Sequence, residues 1–122
     1  MAKTGISFEN AGVATIARVE ESQIATEFVD LLCARLLEGK DVPSGRRFVL
    51  DLSKVTFLGS TGLSVIVVFL KRLKECGGEL ALAALSEHCM SVLKIMRFTE
   101  IIPVYDDVQS ALNRGTDTAF RT

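Results

Sequence analysis

The sequence contains no tryptophan, one tyrosine, one histidine and two prolines in 122 residues. A single histidine, His88, is too few for a histidine-based metal site or a Ser–His catalytic pair on this chain, so no metal is expected. His88 adjoins Cys89, but neighbouring helical residues point about a quarter-turn apart, so the spacing does not set imidazole against thiol. The three cysteines, Cys33, Cys76 and Cys89, are odd in number and far apart. That fits neither a disulfide framework nor a Cys-x-x-Cys metal site, and they read as reduced thiols. A formal net charge of −1 excludes the basic footprint of a nucleic-acid-binding domain. No apolar run is long enough to span a bilayer, the longest being Leu63 to Leu70. The first residues, Met1 to Gly5, lack a secretory apolar core, and a cytoplasmic protein is the simplest expectation. There is no Gly-x-Gly-x-x-Gly, no Gly-x-Ser-x-Gly and no P-loop lysine. No cofactor is therefore expected, and enzymatic chemistry finds little support.

What is present suits one compact core. Apolar residues make up 48% of the chain and charges nearly balance, so the chain is neither disordered nor a polyelectrolyte. Residues 1–122 read as a single domain, with an ordered core over 5–113 and a polar tail over 114–122. Ile6 to Glu9 and Val13 to Val19, either side of Asn10-Ala11-Gly12, predict a hairpin whose first strand lies at an edge. Glu20-Glu21-Ser22 reads as a helix start. Ile24, Phe28, Leu31, Leu32 and Leu36 then form one buried stripe, with Glu27, Asp30, Arg35 and Glu38 outward. The Gly- and Pro-bearing stretch from Glu38 to Gly45 is a surface loop.

The organising stretch follows. Phe48 to Leu52 is a continuous apolar run interrupted only by Asp51, a buried strand, and Gly59-Ser60-Thr61-Gly62 then opens the most apolar segment. Local propensity would make Val65 to Phe69 a strand. The Gly77-Gly78 stop, the basic last turn and the length from Ser60 to Cys76 instead predict a capped helix. A helix entrance favours a negative group, so Ser60 and Thr61 stand where a phosphate would be held. In an arbitrary sequence Ser60 reads first as an N-cap. That helix is apolar over nearly its whole circumference for two turns, and the surplus beyond what one sheet face needs must meet a partner or another helix. Glu79 to Leu85 alternates as the next strand, and Ser86 caps a helix carrying Val92, Leu93 and Met96. Ile101 to Tyr105 is a short strand with Pro103 marking an edge or end. Asp106-Asp107 opens the last helix through Val108, Ala111 and Leu112.

The run from Phe48 to about Leu112 resembles a STAS domain, the fold of bacterial anti-sigma factor antagonists. The resemblance rests on the Leu50-Asp51-Leu52-Ser53 strand end, the Ser60-Thr61-Gly62-Leu63 turn and the helix ending Leu73-Lys74-Glu75-Cys76-Gly77-Gly78-Glu79. It implies an α/β fold: a single STAS-like domain with a mixed sheet of four to five strands and about four helices packed mainly on one face. It also implies phosphorylation at Ser60, with Asp51, Gly59, Thr61, Gly62 and Ser22 around the phosphosite. Gly59 stands where the family usually has Asp, and Ser22 stands near the position of a second family Asp. The implied partner is an anti-sigma factor or GHKL-type serine kinase, met by Leu63, Ser64, Ile66, Phe69 and Leu70, with a serine phosphatase as a further candidate. Two other readings stay open: a STAS scaffold or lipid-transport accessory module that is not phosphorylated, and a small phosphotransfer or nucleotide-handling enzyme using the anion site at Ser60-Thr61.

Overall fold

The computed structural model describes residues 5–11, 14–38 and 47–113, with side chains in the first helix described through Ala34. The expected roles of Gly12, Arg35, Leu36 and Glu38, the linker up to Gly45 and the 114–122 tail lie outside what it describes. Five strands form one sheet: β1 Ile6–Ala11, β2 Ala14–Val19, β3 Arg47–Asp51, β4 Glu79–Ala83 and β5 Val104–Tyr105. They pair in chain order, β1 antiparallel to β2 and the rest parallel. The hairpin register sets Ile6 opposite Val19 and Phe8 opposite Ala17.

The helices are α1 Phe28–Glu38, α2 Ser60–Glu75, α3 Glu87–Ile95 and α4 Val108–Leu112, with a 3-10 turn at Phe98–Glu100. Their placement follows from handedness. Each step from β2 to β5 moves one strand in the same direction, and parallel crossovers are right-handed, so the three connecting helices fall on one face of the sheet. There Ala17, Val19, Phe48, Leu50, Leu80 and Leu82 pack with Phe28, Leu32, Ile66, Phe69, Cys89 and Leu93. Only α4, after the last strand, turns back to cover the other face, where Ile16, Val49, Ala81, Ala83 and Tyr105 meet Ala111. β3 is thus apolar on both sides, as a central parallel strand must be.

The helix-end and buried-stripe signals act as their sequences predict, with two exceptions besides Ser60. Gly77 takes φ 78°, and Gly78 N–H donates to Leu73 O at 2.7 Å while Gly77 N–H donates to Lys74 O at 3.1 Å, a Schellman stop for α2. Ser86 and Asp107 accept the Cys89 and Ser110 N–H groups as caps of α3 and α4. The first exception is α1, which starts at Phe28 rather than near Ser22. The Ser22 carbonyl is taken by Thr56 N–H at 2.9 Å and Phe57 N–H at 3.3 Å, which ties residues 20–24 to a loop instead of a helical turn. The second is Met96, expected on the buried stripe of α3. It is the C-cap residue and stands 52% exposed.

Candidate functional site

The parallel strands end together, and the site stands at that carboxyl edge. From Asp51 the chain runs through Leu52, Val55 and Leu58, all buried, and delivers Gly59 to the N-cap of α2. Ser60 is the first helical residue rather than the cap. Gly59 brings no side chain to the helix end, and no side-chain cap bond forms. The backbone closes the turn instead, Leu63 N–H donating to Gly59 O at 3.0 Å. Gly62 faces inward: a Cβ there would stand 2.6 Å from Leu58 Cδ1 and 3.5 Å from Ile24 Cβ. Any larger residue there would require the Leu58 side chain to move, so the glycine lets α2 approach the loop closely.

Ser60 and Thr61 are exposed and divide two grooves. One, of about 290 Å³, lies between α1 and α2, with Thr26 and Val29 on one wall and Ser64, Val65 and Val68 on the other. The second, of about 250 Å³, is lined by Gln23, Ile24, Phe57, Gly59 and Gly62. Both residues line both grooves. Ser64 is exposed and Leu63 half-buried.

Three of the expected partner-facing residues point inward. Ile66 and Phe69 are fully buried and Leu70 is 8% exposed. The apolar surplus of α2 is absorbed within the domain, by the sheet on one side and α1 on the other. The Phe69 ring meets Phe48 edge-on at 5.1 Å, a favoured aromatic geometry.

Asp51 does not join Ser60 either. Strand alternation puts its side chain on the Val49 side of the sheet, away from the α2 side that holds Phe48 and Leu50. Its carboxylate accepts from Arg18 Nε at 3.1 Å and from Ser53 N–H at 2.9 Å. Ser22 comes alongside through its backbone carbonyl, its side chain exposed.

Sequence reasoning passed over Phe57, three residues before Ser60. It is 50% exposed and stacks on His88 with centroids 5.4 Å apart and planes 15° from parallel. Cys89 turns the other way, fully buried, its Sγ 3.6 Å from Val55 O. Nearby, Lys54 Nζ holds Glu20 Oε1 at 2.6 Å. That bond, then one from Ser7, holds the Glu20 carboxyl below its usual range. Among the described residues no cluster of His, Cys, Asp and Glu could hold a metal ion, and no helix is long and apolar enough to cross a membrane.

The family model described as STAS domain matches residues 9–111. The chain belongs to the STAS domain family. A relative from Bordetella bronchiseptica, described as the anti-sigma factor antagonist BtrV, is 32% identical over 110 residues, covering 90% of this chain and 86% of that protein. An anti-sigma-factor antagonist (STAS) domain protein from Planctomyces limnophilus superposes with a TM-score of 0.74 at 26% identity, covering 91% of this chain and 97% of that one. The structure of SpoIIAA in its unphosphorylated form superposes at 0.64 with 15% identity, over 91% of this chain and 97% of that one. At that identity the likeness is one of fold. In this STAS domain the five-stranded mixed sheet and four helices hold Gly59 to Gly62 at the N-terminus of α2.

Proposed function

We propose that this STAS domain is an anti-sigma factor antagonist: a binding module that engages an anti-sigma factor or GHKL-type serine kinase, frees a sigma factor, and is switched off by phosphorylation of Ser60. The observation that carries the reading is the placement of Ser60. Its hydroxyl is exposed on the first residue of a 16-residue helix whose N-cap has no side-chain bond, and it borders both grooves. The resemblance of the Ser60-Thr61-Gly62-Leu63 turn to the family's implies Ser60 as the phosphorylated serine, and the 32% identical relative bears the antagonist description.

The domain is the substrate in this scheme and the kinase is the catalyst. Ser60 Oγ attacks the γ-phosphorus of ATP on the kinase, ADP leaves, and the hydroxyl proton passes to a base of the kinase. The product carries nearly two negative charges at the entrance of α2, where Ser60 borders both grooves. A partner closed over the grooves would have to desolvate that group, and the complex opens.

One observation favours a second reading, a constitutive scaffold that uses the same end without phosphorylation. Gly59 supplies no carboxylate beside Ser60, and Asp51 is engaged by Arg18.

Affinity capture from extracts of the source cell distinguishes the two, using wild type, Ser60→Ala and Ser60→Asp as baits with captured proteins identified by mass spectrometry. The switch requires a GHKL-type kinase or anti-sigma factor on Ser60→Ala and its absence on Ser60→Asp. Equal capture of one partner by all three baits establishes the scaffold and removes the switch.

A further inference from the structure

We infer that the groove at the far end of α2 from Ser60 is the contact face of a two-fold dimer of this chain, closed around Ile101 with Lys74 of each copy facing Glu79 of the other. The inference is independent of what happens at Ser60.

Among the described residues the strongly exposed large apolar side chains are Phe57, Ile95, Met96 and Ile101, and all but Phe57 fall between residues 95 and 101. Ile101 is 57% exposed and lines a groove of about 250 Å³. Leu70, Leu80 and Pro103 continue its apolar walls, and Lys74 and Glu79 line the same groove. The turn that presents Ile101 is ordered in advance. The Ile101 and Ile102 N–H groups both donate to Phe98 O, at 3.0 and 2.9 Å, and Glu100 N–H donates to Arg97 O at 3.2 Å. Phe98 and Ile102 pack with the core. A side chain already held in place loses little freedom on binding.

The charges on the groove select the occupant. Lys74 enters no ion pair among the described residues, and Glu79, its side chain 52% exposed, meets Arg47 Nε at a loose 3.8 Å. A partner bearing one sign of charge meets its like at one of these two positions. A second copy does not. A two-fold axis running between Lys74 and Glu79 lays each ammonium against the other copy's carboxylate, and apolar wall against apolar wall. The face is its own complement. Ser60 lies about 20 Å from Lys74 along α2, so both Ser60 turns stay open and the dimer presents two of them to a partner.

Sedimentation equilibrium of the full chain, from about 1 μM to about 1 mM protein, is the test. The mass is expected to rise from one chain to two. Ile101→Ser weakens the dimer at least about tenfold, and Lys74→Glu and Glu79→Lys each weaken it alone. The sharpest arm mixes those two reversals. One chain then carries two carboxylates on the groove and the other two ammonium groups, so the mixture forms a heterodimer while neither chain dimerises by itself. Circular dichroism and the unfolding midpoint check that the variants are folded. Ile101→Ser and Lys74→Glu, on exposed side chains, decide the matter if Glu79→Lys, which loses the Arg47 contact, does not fold. A single-chain mass at every concentration, a dimer indifferent to Ile101→Ser and both reversals, or a mixture of folded chains that stays monomeric overturns the inference. Monomers that capture a different protein through Ile101 overturn it too, and give the groove to that partner. Ser60→Asp leaves this dimer unchanged; a dimer that Ser60→Asp dissolves is seated at the other end and also overturns it.

Discussion

Arg18 and Asp51 stand opposite each other in the parallel register of β2 and β3, and Arg18 Nε donates to Asp51 Oδ2 at 3.1 Å. The same guanidinium reaches Glu9 through Nη1 at 2.9 Å. One arginine thus ties the edge strand to the centre of the sheet, and the Asp51 side chain, 9% exposed, depends on it. Among the described residues, Arg18→Met leaves that carboxylate with the Ser53 N–H as its remaining donor. The expected loss is about 1–3 kcal/mol, the usual penalty for an under-satisfied buried polar group, measured by urea unfolding. A loss no larger than that of Glu9→Gln would show that the Asp51 bond contributes nothing.

Gly59 and Phe57 compete for one space. In Gly59→Asp the new Cβ displaces the ring, whose edge atom would be 2.9 Å away, and the His88 stack breaks. Loss of the ring-current shift on the His88 ring protons is the expected NMR signature. In a Phe57→Ala background nothing is displaced, and the new aspartate caps α2 for a gain of a few tenths of a kcal/mol. An undisturbed His88 spectrum in the single variant would refute the competition.

Acid acts through Asp107. Hydrogen bonding to the Ser110 N–H, its Oδ1 accepting at 2.8 Å, holds this carboxyl below its usual range. A depressed folded value means stability that is complete above the unfolded value near about 4 and lost as pH falls through the folded one. Asp107→Asn keeps a capping oxygen but cannot titrate. The gap in unfolding midpoint between wild type and this variant should therefore change below about pH 4 and stay flat from about pH 5 to 7. A flat difference throughout would exclude the cap as an acid-sensitive element.

Thiol reagents should label the cysteines in a fixed order. Cys76 is exposed and reacts first. Cys33 is half-buried, and burial pushes its thiol up from the ordinary value, which lowers its thiolate fraction. Cys89, fully buried with its Sγ toward Val55 O, reacts only on unfolding. Peptide mapping after timed alkylation gives the order, and early modification of Cys89 would contradict its burial.

Leu52 is fully buried just beyond β3, and its N–H extends the ladder to Ala83 O at 3.0 Å. Leu52→Ala should cost about 2–5 kcal/mol. An unchanged denaturation midpoint would mean that the loop, not the core, holds this residue.

Much of this was written locally in the chain. The Gly77-Gly78 stop and the basic last turn outweighed the β-branched run in α2, because caps and length report helix ends while Val65 to Val68 report only burial. Asp51 carried a legible signal: two residues from Val49 and one from Leu50, it belongs by strand alternation to the face opposite α2. Other features depended on distant partners. The start of α1 shifted to Phe28 because the Ser22 carbonyl is spent on a loop 34 and 35 residues away. Ile66 and Phe69 look like surplus until the sheet and the other helices are known to bury them in one core. Phe57 has no sequence mark that separates an exposed ring from a buried one.

Chain-order pairing of the strands has a consequence for synthesis. Each strand finds its neighbour already made, so the sheet can grow on one edge as the polypeptide leaves the ribosome, with α1, α2 and α3 laid down behind it. The opposite face waits for α4. A nascent chain arrested after Tyr105 would carry Ile16, Val49, Ala81 and Ala83 without Ala111, so the burial of that face is completed only when α4 arrives.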